Sequence, residues 1–221
     1  WAAEGGETEL GLRLARRLVR FWHVRGHVSE GRAWFERLLA AASAAPPDVR
    51  AWPTYNAGFF AWAQGDLTRA ETMHQESLAL YREMGDTAGV ARVLGNVGEL
   101  ALLRDDLDRA EACSRESLLL HWEVGYKEGV AYALKHLAGV AAAQGDPERA
   151  ARLFGAAAAL REAIGTPLPP SERAGHERTL VEARRCLGDD AFAAAWATGR
   201  SLPLEEARAE ALASPERAER T

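Results

Sequence analysis

The chain has 221 residues, of which 48% are hydrophobic and 27% charged, with a formal net charge of -5 at pH 7. That is enough apolar material to bury a core, so composition does not make the chain disordered. The acidic balance argues against a dedicated nucleic-acid binder, which is usually basic.

Alanine, leucine, glutamate and arginine dominate, and all four favour helix. No stretch alternates apolar and polar residues over strand length, so the expected class is all-α. Lysine occurs only at Lys127 and Lys135. No apolar run approaches the ~20 residues a membrane helix needs, and no signal peptide opens the chain. Two cysteines, Cys113 and Cys186, cannot form a disulfide framework, which points to a cytoplasmic setting. The chain starts at Trp1 rather than Met, so it is expected to be a piece of a longer protein.

Taken in order, the chain repeats itself. A first, weaker unit contains RGHVSEGRAWFERLLA at 25–40. Three stronger units follow: QGDLTRAETMHQESLALYREMG at 64–85, RDDLDRAEACSRESLLLHWEVG at 104–125 and QGDPERAARLFGAAAALREAIG at 144–165. Asp66, Asp106 and Asp146 recur every 40 residues, as do Arg69, Arg109 and Arg149 and then Ala70, Ala110 and Ala150. Gly85, Gly125 and Gly165 keep the same spacing.

Each unit reads as two helices. The A helices are expected at about 9–24, 49–63, 88–103 and 127–143, each ending in a tight turn (RG, QG, RD, QG). The B helices start near the three aspartates, whose carboxylates can cap free backbone N–H groups. Pro147 suits an early helical position, and Gly85 and Gly125 suit a left-handed C-cap. The repeating alanines are small because helices A and B cross closely there. One hairpin cannot bury its apolar face alone, but stacked neighbours can. A right-handed superhelix of helix pairs is expected, with the A helices on its concave side.

After Gly165 the pattern breaks. The prolines of TPLPP at 166–170 disfavour helix. Ser171 reads as the N-cap of a helix to about Leu187, GDD at 188–190 as a turn, and residues near 191–198 as a short helix. Pro203, Glu205 and Glu206 open a last helix to about Ala213. These segments, 166–213, would cap the solenoid, with 214–221 as a flexible tail.

The small residues late in helix A (Gly58, Gly98, Ala138), the turn residues Gly65, Asp105 and Gly145, and the helix-B alanines resemble the tetratricopeptide repeat. Here the repeat is 40 residues rather than the usual 34. On that basis residues 1–165 are four repeats, at about 7–45, 46–86, 87–126 and 127–165. The opening ELGLRLARRLVRFWHVRGHVSEGRAWFERLLA, the segment ESLALYREMGDTAGVARVLGNVGELALLRDDLDRAE and the tail from RAARLFGAAAALREAIG onward are similar to the repeat region of bacterial multidomain transcriptional regulators. In that family an NB-ARC-like signal-transduction ATPase module precedes the repeats, and a LuxR-type or winged-helix DNA-binding module lies elsewhere. This chain has no GxxxxGK[ST] phosphate loop and no separate DNA-binding domain, so the resemblance implies neither activity for these residues.

No catalytic constellation stands out, and neither an enzyme activity nor a cofactor or metal is expected. His23 and His27 are four apart but straddle Gly26, at the expected helix end. Cys113 and Cys186 read as small core residues.

The resemblance implies that a few helix-A positions face the groove. These are Arg13, Arg16, Arg20 and His23 on the first repeat, and Trp52, Tyr55, Asn56, Phe59 and Trp62 on the second. Arg92, Asn96 and Glu99 follow on the third, and Tyr132, Lys135 and His136 on the fourth. Arg13, Arg16 and Arg20 also share a face by helical spacing alone. Some peptide-binding members hold a carboxylate with basic residues and Asn from three consecutive A helices. Arg16, Arg20, Asn56, Arg92 and Asn96 occupy the matching positions, with Trp52, Tyr55 and Trp62 for apolar contact. The expected partner is a protein, a peptide or a small anionic effector, with no nucleic acid or membrane. A packed and solvated surface, a self-associating scaffold and an enzyme with its site in the groove are the alternatives.

Overall fold

A computed structural model describes residues 7–168 and 170–213. Trp1 and the expected tail at 214–221 lie outside the described residues, as does the side chain of Ser171. The described residues form eleven helices and no strand. In chain order these are α1 (Thr8–Arg25), α2 (Val28–Ala41), α3 (Pro47–Ala63), α4 (Leu67–Glu83), α5 (Thr87–Leu103), α6 (Leu107–Glu123), α7 (Lys127–Ala143), α8 (Pro147–Ile164), α9 (Pro170–Leu187), α10 (Asp189–Ser201) and α11 (Leu204–Leu212). No helix among the described residues is long and apolar enough to cross a membrane.

The caps follow the repeated residues. The carboxylates of Asp66, Asp106 and Asp146 accept from the backbone N–H of Arg69, Arg109 and Arg149 at 3.1, 3.2 and 3.0 Å. Each satisfies a donor that the first helical turn leaves without a partner. Pro147 stands in the first turn of α8, where its missing N–H removes no helical bond. Gly85, Gly125 and Gly165 end α4, α6 and α8 with φ of 66°, 68° and 68°, the left-handed region that favours glycine.

The chain divides into two compact units, residues 1–100 and 101–221. In the first, α1 packs on α2 and α3, α2 on α3, and α3 on α4. Trp22, Phe35 and Phe60 form the centre of its core, with rings meeting edge-on or stacked at 5.9–6.3 Å. Ala61, Ala70 and Leu100 bring α3, α4 and α5 together. Arg32 of α2 ties itself to the α3–α4 turn, donating to Gln64 at 2.9 Å and Asp66 at 2.8 Å.

In the second unit, α7 packs between α6 and α8 around Leu118, Leu134, Leu153 and Phe154. Ala70, Ala110 and Ala150 are fully buried, as the close crossing of helices A and B requires. Three corrections apply after Gly165. Helix α9 begins at Pro170, before the residue expected to cap it, and α10 runs from Asp189 to Ser201 rather than near 191–198. Its extra length lies against α8, where backbones nearly touch. A Cβ on Gly199 would stand 1.9 Å from the Arg152 carbonyl oxygen, and one on Gly155 2.4 Å from that of Trp196. Nor is Cys186 a core residue: it is exposed, its Sγ 3.8 Å from Glu182, while Cys113 is half-buried.

The last helix is held by its C-terminal carbonyls. Arg149 donates through Nη2 to the carbonyls of Glu210, Ala211 and Ala213 at 3.2, 3.2 and 2.8 Å. Arg115 donates to those of Leu212 and Ala213. Arg152 pairs with Glu210 at 2.5 Å. Cationic donors satisfy helix-end carbonyls and oppose their partial negative charge.

Candidate functional site

Helices α1, α3 and α5 place the expected binding residues of the first unit, and two small groups result. Arg16 of α1 reaches α3, with its guanidinium carbon 5.2 Å from the centre of the Trp52 ring. Arg92 of α5 lies 5.9 Å from the centre of the Tyr55 ring. Asn96, one helical turn after Arg92, donates from Nδ2 to the Tyr55 hydroxyl at 3.3 Å. Two A-helix cations therefore rest against aromatic rings of the A helix between them. A cation over an aromatic face is attracted by the ring quadrupole, and the ring shields one side of it from water.

The remaining positions behave differently. Arg20 is exposed on α1, one turn from Arg16. Arg13 pairs with Glu9 at 2.7 Å, with both side chains well exposed, so this pair adds little to stability. His23 packs against Phe59 at 4.9 Å, while His27 stacks on Phe21 at 5.3 Å, so the two histidines face different neighbours. Asn56 is 4% exposed, and its Nδ2 donates to the carbonyl of Trp52 at 2.8 Å. Its amide nitrogen holds its own helix. Trp62 is half-buried, meets Phe59 at a tilt with ring centres 6.0 Å apart and packs on the Ala61–Ala70–Leu100 cluster. Trp52 has an interior role as well, meeting Phe35 edge-on at 5.8 Å. Arg16, Trp52, Tyr55, Arg92 and Asn96 are thus drawn into contact pairs, whereas Asn56 and Trp62 are tied into packing.

One neighbour of this face escaped the sequence reading. Tyr81 of α4 is 3% exposed. Burial pushes its hydroxyl up to about 12; Arg92 and Arg16 act in the opposite direction, and Asp86 and Tyr55 act with burial. The phenol stays neutral at any ordinary pH. Its ring fills the space beside Gly89, where a Cβ would lie 2.2 Å away. The readable signal was the pair itself: Tyr81 and Gly89 recur 40 residues on as His121 and Gly129. Likewise His74, 1% exposed, has its ring 5.6 Å from Tyr55 and against Gly58, which explains why position 58 is small.

In the second unit, Lys135 lies 5.4 Å from the centre of the Tyr132 ring, and Tyr132 lies 6.4 Å from His136. Arg161 lies over the same tyrosine at 4.1 Å. Arg149 repeats the positions of Arg69 and Arg109, yet it alone of the three is buried, because α11 covers it.

Known proteins bear on these residues in three ways. The tetratricopeptide repeat profile matches residues 49–120 and 89–163, just over half of the chain. Proteins provisionally named HTH-type transcriptional regulators, from Mycobacterium tuberculosis and Mycobacterium bovis, are 33% identical over 106 residues. That match covers 44% of this chain and only 12% of each relative's length. Among solved structures, TPR-like repeats assigned to a kinesin light chain of Podospora anserina superpose with a TM-score of 0.62 at 15% identity, covering 92% of this chain and 97% of that one. BtubC (BKLC) of P. vanneervenii gives 0.61 at 16% identity, covering 92% and 89%. At that identity the likeness shows the fold alone, and it agrees with the all-helical architecture. The chain belongs to the tetratricopeptide repeat family.

Proposed function

We propose that this chain is the interaction module of a larger bacterial transcriptional regulator, with attached ATPase and DNA-binding modules outside it, acting in the cytoplasm without chemistry of its own. Residues 1–165 carry the repeats in this reading, and 166–213 close their end. The face shared by α1, α3 and α5 takes a protein segment, a peptide or a small effector bearing a carboxylate. Arg16, Arg20 and Arg92 supply charge. Asn96 orients the acceptor, and Trp52 and Tyr55 supply apolar contact. Asn56 and Trp62 support this face from within. Occupancy biases the attached modules only if the ligand binds their two states with different affinity.

The observation that carries the reading is the pairing of Arg16 with Trp52 and of Arg92 with Tyr55 on consecutive A helices. Charge-assisted bonds to such guanidinium groups contribute roughly 1.5–3 kcal/mol each when shielded from water. Fluorescence anisotropy with acidic peptides ending in a free carboxylate, against the same peptides amidated, tests it. The parent protein binds the free-acid form more tightly. The Arg16→Ala/Arg20→Ala variant binds it at least about tenfold more weakly, with unchanged far-UV circular dichroism. Added salt weakens the parent complex more than the variant complex. Equal binding by parent and variant defeats the reading.

A second reading, a self-associating scaffold, is favoured by one feature. Leu10, Leu14, Leu18, Phe21 and Val24 of α1 are all exposed and fall on one side of the helix. Light scattering after size exclusion decides it: a dimer that Leu14→Glu returns to monomer supports the scaffold, and a monomeric parent excludes it.

A further inference from the structure

Helix α8, the connection at 166–168, and parts of α7 and α9 line a half-open cavity of about 320 Å³. Much of its wall is apolar, with Phe154, Pro167 and Leu168 prominent. Lys135, Arg161 and His176 also reach it. All of these residues belong to the second compact unit, so the cavity is separate from the face formed by α1, α3 and α5.

Arg161 is the unusual member. It is 5% exposed. Its Nη1 makes a long bond of 3.4 Å to the Thr166 carbonyl, and one face of the guanidinium lies on Tyr132. Its Nε and Nη2 have no hydrogen-bond partner. A guanidinium keeps its charge in a protein, so this is a buried cation with unmet donors. Such donors are costly unless an acceptor reaches them. The acid on the cavity wall does not serve, because Glu162 is exposed and held by Arg200 at 2.9 and 2.7 Å. Nε and Nη2 form one edge of the guanidinium fork, the edge that takes both oxygens of a carboxylate side by side.

The repeat register explains the setting. Position 161 follows 81 and 121 at the 40-residue spacing. At those two positions an aromatic ring fills the space beside a glycine eight residues later, Gly89 for Tyr81 and Gly129 for His121. At the third position the aromatic is replaced by Arg161, and the glycine by Pro169 in the sequence. The position that elsewhere holds a packed ring here holds a cation that lines the cavity.

We propose that this cavity binds a small carboxylate with an apolar body, of the size of phenylacetate or a branched-chain fatty acid. The Nε–Nη2 edge of Arg161 is closed to solvent in the free chain and turns toward the cavity to take the carboxylate, Lys135 adds positive charge, and the hydrocarbon part lies against Phe154, Pro167 and Leu168. A volume near 300 Å³ stands at the small end of ligand pockets, which sets the size class. Inorganic phosphate would meet the cations but leave the apolar wall without a partner.

Titration calorimetry of the full chain with phenylacetate and 4-methylpentanoate tests this, with phenylacetamide and inorganic phosphate as controls. At least one acid binds, and phenylacetamide and phosphate each bind at least about tenfold more weakly. Arg161→Met lowers the acid's affinity at least about tenfold. Ala158→Phe, at a half-buried wall position, fills the cavity and has the same effect with unchanged far-UV circular dichroism, so it decides the matter if Arg161→Met does not fold. The proposal is overturned if neither acid binds at about 10 mM, if acid and amide bind alike, if phosphate matches the acids, or if a folded variant keeps the parent's affinity.

Discussion

Asp105 has φ of 61°, the one positive value among the described residues that are not glycine. It closes the α5–α6 turn, where the repeat register has Gly65 and Gly145 at φ of 79° and 83°. A side chain in this region crowds the following carbonyl, a strain of roughly 1–2 kcal/mol that aspartate feels less than most residues. Glycine removes the strain but gives the unfolded chain more freedom. Asp105→Gly is therefore expected to raise stability by about 0.5–1 kcal/mol. Urea unfolding should show a higher midpoint with an unchanged slope. A lower midpoint would mean that the Asp105 side chain contributes more than its backbone strain costs. The same turn shows what residue identity conveys. A glycine, or an aspartate replacing it, marks a turn because backbone geometry demands it. An asparagine marks nothing so definite: Asn96 reaches across to Tyr55, whereas Asn56, one repeat earlier, bonds its own helix.

The alanine register carries the element scale. Ala110 is fully buried where α6 meets α5 and α7, packed with Ala101, Val140 and Leu102. Ala110→Leu must push the helices apart or force strained rotamers, which costs about 1–3 kcal/mol. Ala70→Leu should do the same beside Ala61 and Leu100. Thermal melts of both variants at the parent's midpoint would refute the close crossing. The boundaries of α3 to α8 were legible because caps, turn glycines and crossing alanines are local signals repeated three times. The helices after Gly165 were less so, since they occur once and rely on tertiary contacts. The extra length of α10 follows from the touching of Gly155 and Gly199 with a neighbouring backbone, and α11 is fixed by arginines about 60 and 100 positions away. Spacing within one segment records neither. Arg161 was hidden similarly, because its position matches the repeat while its surroundings do not.

At the scale of the whole molecule, the comparisons fix the fold and leave the partner to the side chains, since 15–16% identity preserves helix packing without preserving a surface. The acidic chain's response to pH is a global property that particular residues determine. Burial beneath Tyr55 lowers the His74 pKa from 6.5 to about 4, and its Nδ1 has no hydrogen-bond partner. Above 6.5 the imidazole is neutral whether the chain is folded or unfolded. Between 6.5 and about 4 the unfolded chain takes up a proton that the folded chain refuses, so stability falls as pH falls. Across that window the loss is on the order of 3 kcal/mol. At lower pH the carboxylates of Asp66, Glu162 and Glu182 add to the loss. Each is held below its usual value, Asp66 by the Arg69 backbone N–H and then Arg32, Glu162 by Arg200, and Glu182 by Arg185. Urea midpoints from pH 7 to 4 should therefore decline steadily. His74→Phe, which keeps a ring beside Gly58 and cannot take up a proton, should flatten the decline between 6.5 and 4.5 while leaving the fall at lower pH in place. An unchanged pH profile in that variant would place the acid sensitivity in another group and return His74 to a packing role alone.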